Sequence, residues 1–158
     1  MATVRKSIVI EGTRDDIRPL VHDPEAVLAR DNNIYRFEPD ANWPAVGSQL
    51  ELGFKTFAFN IDGVATSLEY DPQTMNLVYR IEPENFEPGL WRWTFDQHDG
   101  QTTVTVEIDY DLPGSYLGKA LDKLVVQRQN AKQTERTLAA LKAQVEGTLQ
   151  VKEARAQA

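Results

Sequence analysis

The stretch TTVTVEIDYDLPGS, residues 102–115, decides the fold. As far as Leu112 it alternates. Val104, Val106, Ile108, Tyr110 and Leu112 share one face, while Thr103, Thr105, Glu107, Asp109 and Asp111 share the other. Period-two alternation of this kind is a strand with one buried and one wet face. Pro113-Gly114 ends it, because proline cannot donate to a ladder, and Ser115 offers a side-chain oxygen to cap a helix. Helical spacing then continues to about Glu146, with Gly147 as the expected C-terminal stop. At roughly 1.5 Å per residue such a helix is about 50 Å long, enough to cross a whole sheet.

Toward the N-terminus the chain reads as strands joined by short turns. Residues 34–38 form a short strand closed by Pro39, and residues 49–61 are the longest candidate. Within that candidate the alternation slips between Leu50-Leu52-Phe54 and Phe57-Phe59-Ile61, which predicts a bulge near Lys55-Thr56. Asp62-Gly63 has the composition of a hairpin turn, and residues 64–70 pair back after it. Asp71-Pro72-Gln73-Thr74 is the next turn. Residues 75–81, 89–97 and 102–112 complete the set, with Asp99-Gly100 at the last tip. The first strand covers residues 3–11, with Val4, Ile8 and Ile10 on one face and Lys6 as the exception. Two helix starts follow directly. Thr13 with Asp16 has capping-box spacing ahead of a helix shortened by Pro19. Asp23-Pro24 supplies an acidic cap and a proline at the first helical position of a second helix.

Composition bounds the class. The 158 residues suit one domain, with a core and pocket expected in residues 1–147 and a fraying tail over 148–158. A net charge of -7 argues against nucleic acid or an anionic membrane surface as the partner. The chain has no cysteine, which excludes disulfides and thiol chemistry. No run reaches membrane-spanning length and no signal core opens the chain, so a cytoplasmic protein, monomer or homodimer, is expected.

The order of one strand, two short helices, six strands and a long helix resembles the START-like helix-grip superfamily. Within it, the polyketide cyclase/dehydrase and lipid-transport group is the nearest match. The residues carrying the resemblance are Asp23-Pro24-Glu25, Gly47, Leu68-Glu69-Tyr70-Asp71-Pro72, Trp93-Thr94-Phe95, Asp109-Tyr110-Asp111-Leu112-Pro113-Gly114 and Leu141-Lys142-Ala143-Gln144-Val145-Glu146. The resemblance implies an α+β fold, a curved seven-stranded antiparallel sheet wrapped around the long helix. It also implies a cavity between the two for lipids, quinones, polyketides or similar molecules, and supplies no catalytic motif.

The long helix carries the most specific expectation. Leu117, Leu121, Leu124 and Val125 form an apolar stripe that Leu138, Leu141 and Val145 resume. Between Val126 and Leu138 only Ala131 is apolar, whereas a core helix keeps its stripe. That phase puts Arg128, Ala131, Lys132 and Glu135 inward, with Arg128 as an anchor for a ligand's carbonyl or carboxylate. The bland alternative is a solvated stretch of ion pairs. Tyr79, Trp91, Trp93 and Tyr110 lie on strand faces suited to a flat or greasy ligand, or else are plain core. His22 reads as a surface or capping residue and His98 as a loop tip. Neither joins a serine triad or a metal-ligand set, so no metal and no cofactor is expected. Glu69 is the one speculative acid or base.

The function expected is therefore binding or carriage of a small hydrophobic molecule. The rivals are a cyclase- or dehydratase-like enzyme using Glu69, Tyr79, Tyr110 or Arg128, and a protein-interaction module with a filled interior.

Overall fold

The computed structural model describes residues 2–56, 59–111 and 123–157. Seven strands form one antiparallel sheet: β1 (Ala2–Ile10), β2 (Ile34–Pro39), β3 (Gln49–Thr56), β4 (Phe59–Tyr70), β5 (Leu77–Pro83), β6 (Gly89–His98) and β7 (Gln101–Tyr110). Their spatial order is β1-β7-β6-β5-β4-β3-β2. The first two strands thus sit at opposite edges. The chain travels between them through α1 (Arg14–Val21) and α2 (Pro24–Arg30). The long helix α3 (Lys123–Gln157) packs on the sheet, chiefly against β1. This is the expected helix-grip architecture.

The local signals for the short helices hold. Thr13 caps α1 and closes a capping box with Asp16, and the Asp23 side chain accepts from the Ala26 amide above Pro24. The alternation of β7 also holds. Val104 and Val106 are buried, and with Ile10, Ile17, Val21 and Phe95 they receive Leu138, Leu141 and Val145 of α3. This cluster closes one end of the molecule. A second cluster of Val27, Phe37, Leu50, Leu52, Ala65 and Ile81 lies under β2–β5.

Three expectations are corrected. First, Asp62-Gly63 is not a turn. Asp62 pairs with Gly53 and Gly63 with Leu52 inside the β3–β4 ladder. The ladder runs on to Thr56↔Phe59, and residues 57–58 lie outside the described residues. The glycine at 63 answers a close approach instead, since a Cβ there would lie 2.8 Å from the Glu82 carbonyl oxygen. Second, there is no bulge at Lys55-Thr56, where Lys55 pairs with Asn60 and Thr56 with Phe59 in regular register. The register shifts occur between Ile34 and Arg36 and between Ser67 and Glu69. Third, α3 does not stop at Gly147 but continues to Gln157. Gly147 keeps a negative φ, so it does not take the left-handed conformation of a terminating glycine. The expected cap at Ser115 and the apolar residues Leu117 and Leu121 lie outside the described residues. Among the described residues, no helix is long and apolar enough to cross a membrane.

Candidate ligand-binding cavity

A cavity of about 270 Å³ lies between the sheet, the α1–α2 corner and α3. Pockets for small molecules start near this size. Strand alternation supplies the apolar wall, because every second residue of β3, β5 and β7 points to the same side. Leu50, Leu52, Leu77, Ile81 and Val106 all line it.

Aromatic side chains make up much of the remaining surface, and they touch one another in series. The His22 and Trp43 rings meet edge-on with centroids 6.4 Å apart. Trp43 meets Tyr79 edge-on at 5.8 Å, and Tyr79 stacks on Trp91 at 6.1 Å across the β5–β6 pair. Trp93 Nε1 donates to Tyr79 Oη at 3.2 Å. Burial pushes the Tyr79 hydroxyl up to about 12. It is a neutral phenol at any physiological pH. All three tryptophans of the chain, Trp43, Trp91 and Trp93, line the cavity.

Helix α3 contributes neutral polar side chains. Asn130, Gln133, Thr134 and Thr137 line the cavity together with Val126. Thr134 Oγ1 donates to the Asn130 carbonyl at 2.8 Å, a bond within its own helix. Thr137 Oγ1 donates to Asp31 Oδ2 at 3.0 Å, and the Asn33 amide donates to Asp31 Oδ1 at 2.9 Å. Next to this carboxylate sits Arg30. Its guanidinium donates to the Leu20 and Val21 carbonyls at 2.6 and 3.1 Å and to Gln144 at 3.2 Å. Burial lowers the Arg30 pKa to about 10, partly offset by Asp31 and Asp23, so the group stays charged at neutral pH.

Of the residues expected from sequence, the structure brings Tyr79, Trp91, Trp93 and Tyr110 together around the cavity. It does not bring in the other three. Arg128 is exposed and absent from the lining. Glu135 is exposed on the β1 side of α3, where it pairs with Lys6 at 2.8 Å. That ion pair also accounts for the lysine on the inner face of β1. Glu69 is exposed beside the register shift of β4, which overturns the idea of an inward acid or base there. The error on the helix is one of phase. Leu124 and Val125 are 57% and 38% exposed, and the buried row runs Val126, Thr134, Leu138, Leu141, Val145. Counting back from Leu138 in steps of four gives Thr134, Asn130 and Val126, the spacing of one helix face. Anchoring on that end would have found the polar lining.

The sequence places His22 at the surface and gives no signal for Trp43, yet both line the cavity. His22 is not a surface residue. It is half-buried at the end of α1 with its Nε2 enclosed, and burial with the nearby Arg30 charge lowers its pKa to about 4. Trp43 sits in the loop before β3, and no periodicity in the sequence marks it. His98 is exposed at the β6–β7 tip, as expected. Among the described residues no group of three or more His, Cys, Asp or Glu side chains is arranged to hold a metal ion.

Comparisons with known proteins agree with this geometry. A family model described as polyketide cyclase/dehydrase and lipid transport matches residues 1–146. A search of curated proteins by sequence gives no match. Among solved structures, a protein of Thermus thermophilus superposes with a TM-score of 0.78 at 20% identity, covering 93% of this chain and 99% of that one. A START superfamily protein of Mycobacterium smegmatis gives a TM-score of 0.74 at 17% identity, covering 92% and 98%. The Zhui aromatase/cyclase of a Streptomyces species gives 0.75 at 13% identity, covering 92% and 93%. At these identities the likeness is one of fold.

Proposed function

The chain belongs to the polyketide cyclase/dehydrase and lipid-transport family, and from that premise we propose that it binds or carries a small hydrophobic ligand between the sheet and α3. The observation that carries this reading is the aromatic series His22–Trp43–Tyr79–Trp91 along one wall of a cavity. Large rigid rings give contact area at little entropic cost, and ring faces favour flat partners. Each methylene moved from water into such a space contributes about 0.8 kcal/mol. A ligand of modest size therefore binds without a charged anchor. A cytoplasmic site of action belongs to the same proposal.

The test is denaturing extraction of freshly purified protein, followed by mass spectrometry of the extract. We expect a hydrophobic small molecule in the wild type and its loss in Trp91→Leu, a variant that keeps an apolar side chain in place. An extract identical for the two proteins counts against the reading.

A second reading, ring closure or dehydration on a bound substrate, has one observation in its favour. An unprotonated imidazole, His22, and a neutral phenol, Tyr110, line the same cavity. Such a pair suits proton transfer to and from a bound molecule. This reading requires that His22→Phe abolish turnover while binding persists.

A further inference from the structure

Two described side chains bury a polar atom that has no hydrogen-bond partner, His22 at Nε2 and Trp43 at Nε1, and the Tyr110 hydroxyl is buried near Asn130. All three residues line this one cavity. Buried polar atoms are nearly always paired in folded proteins, so two exceptions around one space call for a partner from outside the chain. The three groups have a common character. The indole can only donate, the phenol can do both, and the imidazole nitrogen is uncharged at neutral pH. A side-chain hydrogen bond with Asn130 counters in part the upward push of burial on the Tyr110 hydroxyl, which stays neutral.

The charged lining residues are occupied or peripheral. Arg30 is used up on the Leu20 and Val21 carbonyls and Gln144, and Asp31 accepts from Asn33 and Thr137. Lys55, Glu87 and Asp111 are exposed. Among the described lining residues the one cation that is not exposed is Arg30, and its guanidinium already donates to the chain's own carbonyls and Gln144. An ionised carboxylate entering the cavity would lose its hydration without compensation, which is far costlier than burying a neutral hydroxyl that finds partners.

We propose that the cavity is built for an uncharged, flat molecule bearing a hydroxyl or carbonyl group, which pairs with the orphaned polar atoms of His22 and Trp43, and that it rejects the carboxylate of the same skeleton. This rests on the hydrophobic-ligand reading and sharpens it from greasy to neutral and hydroxylated. A fatty acid held by its head group inside the cavity is excluded by the same chemistry.

The experiment is titration calorimetry at pH 7 with three probes of one skeleton: naphthalene, 2-naphthol and 2-naphthoate. We expect 2-naphthol to bind at least about fivefold tighter than naphthalene, the size of a net hydrogen bond. The naphthoate should bind at least about tenfold weaker than naphthalene. In His22→Phe and Trp43→Phe, shown to be folded by circular dichroism, the preference for naphthol over naphthalene should shrink toward one. Equal binding of naphthol and naphthalene by the wild type, or naphthoate as the tightest probe, overturns the inference and leaves the hydrophobic cavity standing. Failure of all three probes to bind would instead refute the hydrophobic-ligand reading itself. The wild-type ratios decide the matter even where a variant does not fold.

Discussion

His22 shows how one side chain records its surroundings in a measurable way. Its folded pKa is about 4 against about 6.5 for a free imidazole, because burial and the Arg30 charge disfavour the protonated ring. Above pH 6.5 both folded and unfolded chains hold it neutral, and its contribution to stability is complete. As the pH falls from 6.5 toward 4, the unfolded chain takes up a proton that the folded chain refuses, so stability drops. By pH 4.5 the loss amounts to roughly 2–3 kcal/mol from this residue. Urea denaturation at pH 7.5 and 4.5 checks this. Wild type should lose about 2 kcal/mol more than His22→Phe, since other groups titrate in both proteins; equal losses would mean that His22 is solvated. Sequence could not reveal this. A histidine beside Asp23-Pro24 looks like a helix-junction residue, and only the packing of Trp43 over it from a distant loop encloses it. Tyr79, Trp91 and Trp93 were legible because strand alternation fixes which face they share.

At the scale of elements, the capping residues and turn chemistry located α1 and α2, whereas Asp62-Gly63 misled. A composition suited to a hairpin turn was being used for a tight strand-to-strand approach, with the Tyr35 hydroxyl donating to Asp62 at 2.8 Å. The long helix is legible but its phase is not, because Leu124 and Val125 continue the apolar stripe in sequence and are exposed. Its end is not legible either. Gly147 lies within α3, has no positive φ, and would place a Cβ in open space. Alanine there should therefore stabilise the protein by about 0.5–1 kcal/mol, the usual gain over glycine in a helix interior. Thermal or urea denaturation of Gly147→Ala tests the point. A destabilised variant would mean that the helix ends there in the left-handed conformation that glycine favours.

At the scale of the whole molecule, sheet, α1–α2 corner and α3 meet around a space that the chain's own side chains do not fill. The apolar contacts of α3 concentrate at Leu138, Leu141 and Val145, where the core is solid. Toward its N-terminal half the same face carries Asn130 and Thr134, and there the cavity opens. The interruption of the apolar stripe is visible in the sequence, and polar residues of that stretch line the cavity. Which polar residues turned inward was not visible, because a shift of two positions along a helix reverses the face.

Energy transfer from tryptophan to the neutral probe 1-aminoanthracene tests most directly whether this space takes a flat hydrophobic molecule. All three tryptophans border the cavity, so they are donors placed beside the bound probe. Saturable transfer at one probe per chain, lost in Thr134→Phe where a larger side chain fills the space, is the predicted result. Transfer that never saturates, or that is unchanged in Thr134→Phe, would contradict the account.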